Sequence, residues 1–238
     1  MKNNHHLKVA RNSFLTLFLA ALALPACAQE PTAAERVTML KANIASSQAV
    51  LRQYEWIETT VVSVKGDEKS RMQQRCYYGA DGGVQRVLLT QTAPPPKKGG
   101  FFRRKIAESK QEEMTDYMKS AVSLVKNYVP LSPARIQAAK DGGKISIDVL
   151  QPGKRARLNF RDYEKPGDNL GVEVDLVNSR PLGLKVSTYL EDAKDAVTLD
   201  VGMGRLNDGP TYPSDITLDA KAKNLKVTVK SGGYRKTL

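Results

Sequence analysis

Residues 144–149 read Lys144-Ile145-Ser146-Ile147-Asp148-Val149, and the two-residue rhythm they set lasts until Lys226-Val227-Thr228-Val229. Within that span Ile145/Ile147/Val149, Leu158/Phe160, Leu170/Val172/Val174/Leu176, Leu182/Leu184/Val186, Val197/Leu199/Val201/Met203, Ile216/Leu218/Ala220 and Leu225/Val227/Val229 each alternate with polar residues. Successive side chains of a strand point to opposite faces, so this period marks strands that are apolar on one face and wet on the other. Seven of them in a row, joined by turns such as Lys165-Pro166-Gly167-Asp168 and Asn207-Asp208-Gly209-Pro210, predict an antiparallel sheet covered on one side. A parallel sheet would need a helix between each pair of strands, and this run has none.

Working upstream, Ser132-Pro133 is an N-cap and first-turn pair for a short helix that Asp141-Gly142-Gly143 ends. Before it, Met114, Tyr117, Met118, Ala121, Leu124, Val125 and Tyr128 recur at helical spacing on one face, with Pro130 as the stop. From Gln91 to Lys105 the proline run Pro94-Pro95-Pro96 and then Gly99-Gly100 predict a long projecting loop without regular structure. Earlier still, a meander is expected: strands Tyr54–Val64, Arg71–Tyr78 and Val84–Thr90, separated by Gly66-Asp67 in one reversal and Asp81-Gly82-Gly83 in the other. The capping box Thr32-x-x-Glu35 opens a helix from about Ala33 to Arg52.

The pattern predicts an α+β fold. About ten strands, each apolar on one face, have to curl around something or be covered, and the helices are the available cover. The expectation is a strongly curved antiparallel sheet under an N-terminal helix and mid-chain helices.

At the N-terminus Lys2, Lys8 and Arg11 precede an eleven-residue run from Phe14 to Leu24 broken only by Thr16, and Ala26-Cys27-Ala28 offers a cleavage site before Gln29. The run is too short to span a bilayer, so residues 1–28 read as a secretory signal and residues 29–238 as one domain, periplasmic or secreted. Leu24-Pro25-Ala26-Cys27 also approximates a lipobox, which would leave Cys27 acylated; proline fits that pattern poorly. Without the leader the formal charge is 34 − 25 = +9. A basic exported protein suits an anionic membrane surface or an acidic envelope protein, and nucleic acid is excluded by the compartment.

Both histidines and Cys27 fall in the leader, which leaves Cys76 as the single thiol, with no internal disulfide and no soft metal ligands. The element order resembles the LolA/LolB-like lipoprotein carriers, with local support from Tyr54-x-Trp56, Asp81-Gly82-Gly83 and Asp208-Gly209-Pro210-Thr211-Tyr212-Pro213. That resemblance implies an unclosed half-barrel whose apolar concavity takes an acyl chain or other hydrophobic ligand beneath helices, in a protein that is not an enzyme. The carriers' functional arginine matches no particular residue here.

The candidate ligand-binding residues are then Trp56, Met114, Tyr117, Met118, Leu199 and Val201, the methionines giving an adaptable lid. Lys97, Lys98, Phe101, Phe102, Arg103, Arg104 and Lys105 are candidates for membrane or partner docking, since each basic residue near an anionic leaflet contributes ~1 kcal/mol. Ser123-x-x-Lys126 with Lys230-Ser231-Gly232 resembles a serine–lysine nucleophile pair, but Ser123 falls in mid-helix. Asp148, Glu173, Asp175, Asp200 and Asp219 lie on the polar strand face, where pairing with Lys185, Lys226 or Lys230 explains them without a metal or acid–base site. No catalytic residue, metal or cofactor is expected, and the protein is expected to be a monomer.

Overall fold

The computed structural model describes residues 33–92 and 101–237. An N-terminal helix α1 (Ala33–Leu51) leads into strands β1 (Tyr54–Val64), β2 (Asp67–Tyr78) and β3 (Val84–Thr92). Two helices follow, α2 (Phe101–Lys126) and α3 (Pro133–Asp141). Then come β4 (Ile145–Gln151), β5 (Arg155–Arg161), β6 (Asn169–Asp175), β7 (Arg180–Tyr189), β8 (Ala196–Arg205), β9 (Thr211–Ala220) and β10 (Leu225–Lys236). Every neighbouring pair is antiparallel, and the order β3-β2-β1-β10-β9-β8-β7-β6-β5-β4 leaves β3 and β4 as the two edge strands among the described residues. The seven alternating segments are the seven strands after α3, and the sheet is an unclosed half-barrel.

The curl follows from the packing. One core cluster draws side chains from β4 to β10 and from β1, including Ile145, Phe160, Leu170, Val186, Leu218 and Val62, around Ala121 and Val125 of α2 and Tyr128 in the turn just after it. Eight flat strands would span about 34 Å, far more than a helix ~10–12 Å wide can touch, so the sheet must wrap.

The helices hold opposite ends of the strands. Asn43 of α1 donates to the Asn178 and Ser179 carbonyls at 3.0 and 2.7 Å, in the β6–β7 turn, and Ser47 accepts from Thr211 N at 3.1 Å, at the start of β9. At the other end Tyr117 donates to Asp195 at 2.5 Å, in the β7–β8 turn, and Lys223 pairs with Glu113. Tyr128, fully buried, donates to Asp168 at 2.5 Å and accepts from Thr188 at 2.8 Å. Asp168 also takes the backbone N–H groups of Tyr163, Glu164 and Lys165, so one carboxylate both shapes the β5–β6 turn and anchors α2. The expected Ser132 cap is present, its hydroxyl accepting from Arg135 N.

Two expectations need correction. The loop foreseen over Gln91–Lys105 is shorter: β3 runs to Thr92 and α2 already begins at Phe101. Proline and glycine stop at Gly100, and the twelve residues after it are mostly good helix formers with no breaker among them. Nor is the apolar face of every strand covered. Ile147 and Val149 of β4 are 64 % and 65 % exposed, and Val87, Leu88 and Leu89 of β3 are exposed as well. Residues 1–28, the proposed leader, lie outside the described residues. Among the described residues no helix is long and apolar enough to cross a membrane.

Candidate functional site: a half-open apolar belt

The register resolves the inner face into rows running across the strands. Phe160, Leu170, Val186, Leu199 and Leu218 pair in sequence from β5 to β9 and form a row in the core cluster shared with α2, all buried. One pleat further along, Leu158, Val172, Leu184, Val201, Ile216 and Val229 pair from β5 to β10, and every one of the six is only half-buried. Beyond that row, toward the α1 end, Ala156 and Val174 are buried again. The inner face is thus closed at the end where α2 is tied to the turns, while at the other end it is closed on β5 and β6 and stays half-open at Pro181, Leu182 and Met203 of β7 and β8.

The belt spans six strands, about 24 Å at the usual strand spacing. Its composition is aliphatic throughout. At the β4 end it continues into Ile147, which pairs with Leu158; at the other end it is interrupted by Thr60 and ends at Gln91, with Met72 between them. Each methylene laid against it leaves water with a gain of ~0.8 kcal/mol.

Of the ligand-binding residues expected from sequence, Val201 lies in the belt. Leu199 is 6 % exposed and belongs to the buried row one pleat away. Met114, Tyr117 and Met118 are half-buried on α2 and pack against the core, with the Tyr117 hydroxyl committed to Asp195 and its pKa raised by burial first and that carboxylate second.

Trp56 is not brought to the belt. It is 6 % exposed and stacks on Tyr234, ring centroids 5.5 Å apart at 10°, with Tyr78 at 5.5 Å on another side. Gly233, at φ +63°, sits in a bulge of β10 opposite Trp56 and sets Tyr234 over the indole. Tyr212 packs on Tyr234 at 4.3 Å, which completes an aromatic core separate from the one under α2. Cys76 is fully buried beside it, and burial, helped by the Glu58 carboxylate, pushes its thiol up to about 12.

The docking residues fare differently. Lys97 and Lys98 lie outside the described residues, as do the side chains of Phe101, Phe102, Arg103 and Arg104; Lys105 is exposed on the second turn of α2. Ser123 is exposed on α2, while Lys230 pairs with Asp215 at 3.9 Å on the sheet's outer face. The outer-face carboxylates are mostly paired as expected, Asp200 with Lys185 at 2.7 Å and Asp219 with Lys226 at 3.8 Å, whereas Asp148 accepts from Asn159. Asp175 departs from the expectation of a solvent-facing charge. It is buried in the β6–β7 turn, where burial alone would raise its pKa, but hydrogen bonds from Asn178, the Arg180 guanidinium and Val177 N outweigh that and hold it at about 2.

One feature carried no sequence signal that alternation could show. A cavity of about 670 Å³ lies on the face opposite the belt, where Gly171, Gly183 and Gly202 leave three adjacent strands bare. A side chain at Gly183 would meet the Val201 carbonyl at 2.9 Å. Its walls carry paired charges, Glu173 with Arg155 and Arg157, so it does not suit an acyl chain. Glycines at neighbouring register positions would have been the clue, but register is not visible in one sequence.

No family model matches the sequence, and no curated relative aligns with it. Solved structures that align over most of the chain include a DUF1329 family protein from Desulfovibrio piger (9 % identity, 85 % of this chain and 93 % of that one, TM-score 0.36). Others are a LolA superfamily protein from Nitrosomonas europaea (10 %, 82 % and 94 %, 0.32) and a protein described as an outer membrane lipoprotein-sorting protein domain from Vibrio parahaemolyticus (12 %, 85 % and 93 %, 0.34). LolA superfamily structures are therefore among those similar to this chain, and at these scores they say nothing of what it binds.

Proposed function

We propose that this protein is an exported carrier that binds a hydrophobic, lipid-like ligand along the inner face of its half-barrel, without chemistry. The observation that supports this most is the belt itself: six aliphatic residues on six neighbouring strands, each left half-exposed one pleat away from a buried row of the same kind. A core designed only for stability would close that strip, because exposed contiguous apolar surface is unfavourable in water. The cover is suited to movement. Met114 and Met118 are unbranched and readily repacked, and α2 with the turn after it makes a few polar contacts to the sheet and its turns: Tyr128 with Asp168 and Thr188, Tyr117 with Asp195, Glu113 with Lys223.

The test is binding of a dansyl-labelled long-chain fatty acid, read as a blue-shifted emission. The wild type is expected to bind saturably, and Val201→Glu, which sets a charge in mid-belt, to lose at least tenfold in affinity. Equal binding by both would place the ligand elsewhere and remove the belt from the account.

A second reading, a non-catalytic envelope module that docks through its basic segment, draws on the start of α2. The first turn of that helix holds no acid and the sequence there is Phe101-Phe102-Arg103-Arg104-Lys105. Positive charge at a helix N-terminus opposes the helix dipole, and an anionic surface would offset it. Vesicles with and without anionic lipid separate the two readings: the docking module requires salt-sensitive binding to anionic vesicles and no ligand in the belt.

A further inference from the structure

The cavity on the outer face has a floor that packing alone does not explain. Gly183 and Gly202 sit side by side on β7 and β8, and Gly171 lies diagonal to Gly183 on β6. Two of the three glycines have a packing reason: a side chain at Gly183 would meet the Val201 carbonyl at 2.9 Å, and one at Gly171 would meet the Arg157 stem at 3.3 Å. Gly202 has none, since the first carbon of a side chain there would meet nothing closer than 3.8 Å. Glycine inside a strand weakens it, and often marks a place where another group comes close to the backbone. The space above the floor is about 670 Å³, within the ~300–1,000 Å³ usual for small-molecule sites.

The charges around the floor decide what a ligand meets. Lys154, Arg155, Arg157, Arg180 and Lys185 line the cavity together with Glu173, Asp175 and Asp200, a balance of 5 − 3 = +2. The acids are the covered members. Glu173 and Asp175 have side chains only 16 % and 12 % exposed, and both are already engaged: Arg155 and Arg157 share Glu173, while Arg180, Asn178 and Val177 N donate to Asp175. The side chains of Arg155 and Lys185 are 50 % and 59 % exposed, and the one exposed acid, Asp200, is taken by Lys185 at 2.7 Å. Asp215, beside Gly202 on β9, turns to Lys230. One guanidinium of the Glu173 pair, and Lys154, are left without an acid of their own among the described residues.

We propose that this cavity binds a small polar molecule carrying a phosphate monoester. Such a group brings about 1.5–2 negative charges, which match the excess. Arg155 and Arg157 each turn one nitrogen to Glu173, which leaves donors on both forks, and the three terminal oxygens of a phosphate can take both forks at once. The floor at Gly202 then receives the body of the molecule. The site lies on the opposite face of the sheet from the belt and does not depend on lipid binding.

The probe is glucose 6-phosphate, titrated into the protein by isothermal calorimetry beside glucose. Saturable binding of glucose 6-phosphate is expected, at least tenfold tighter than that of glucose, displaced by inorganic phosphate and weakened by salt. Gly202→Val fills the floor, and should fold normally, keep its dansyl fatty-acid affinity and lose at least tenfold for glucose 6-phosphate. Arg155→Gln, at an exposed side chain, should do the same while Arg157 keeps Glu173 paired. Phosphatidylcholine vesicles with and without phosphatidic acid separate the sources of the monoester: binding to the phosphatidic acid vesicles that glucose 6-phosphate displaces assigns it to a lipid headgroup, and no such binding assigns it to a soluble ligand. No saturable binding, equal affinity for glucose and glucose 6-phosphate, or binding unchanged in both variants would each overturn the proposal.

Discussion

Two rows of the inner face, one pleat apart, are nearly identical in composition and opposite in fate. Phe160, Leu170, Val186, Leu199 and Leu218 are closed under α2, while Leu158, Val172, Leu184, Val201 and Ile216 are half-open. The residue types are the same and the strands are the same. What differs is distance from the turns to which the helices are tied. A cover tied to the turns at one end of the strands closes the row beside them and leaves the next one open, so the open belt is a consequence of where Asp168 and Asp195 sit rather than of any special residue in it.

The sharpest way to break this comparison is to truncate one residue of each row. Leu170→Ala, at a fully buried site, should cost about 3 kcal/mol in denaturant unfolding, whereas Leu184→Ala should cost about 1 kcal/mol and leave the fold cooperative. Equal costs would mean that the belt is packed like the core. A smaller effect is expected from the tether. Tyr128→Phe removes the hydroxyl from Asp168 and Thr188, but Asp168 keeps three backbone donors, so a loss of about 1–2 kcal/mol is expected together with faster amide exchange in the last turns of α2. A loss without the faster exchange would show that Tyr128 stabilises the turn and not the helix.

The other end of the belt has its own acid, and its sign is opposite to a histidine switch. Asp175 titrates at about 2 in the folded chain against an ordinary value of 3.8, so it contributes stability above about pH 4 that is lost as the pH falls toward 2. That contribution is about 2 kcal/mol at most, since the side chain is buried and hydrogen-bonded. Asp175→Asn should flatten the acid limb of a stability–pH curve by that amount; an unchanged limb would assign acid sensitivity to other carboxylates. The smallest effect is expected at the edge, where Ile147→Ser should change stability by less than about 0.5 kcal/mol.

Much of the architecture was legible from local rules. Alternation marked all seven late strands, and the Ser132-Pro133 and Gly142-Gly143 pairs marked both ends of α3. The start of α2 was missed because proline and glycine dominate the composition up to Gly100, masking the helix formers that follow. The site was legible only in kind. Alternation shows which residues face inward, but whether Val201 or its neighbour Leu199 is open depends on helix placement, which is set by contacts more than 40 residues apart in sequence such as Tyr117 with Asp195. Trp56 was misplaced for a similar reason: a glycine bulge 177 residues downstream puts Tyr234 over it.

Whether the belt is open because something occupies it can be read by native mass spectrometry on the protein purified without detergent from its own envelope, before and after organic extraction. A stoichiometric lipid that extraction removes, and that the Val201→Glu protein fails to retain, is expected. A bare wild-type chain, still bare after incubation with envelope lipids, would contradict it.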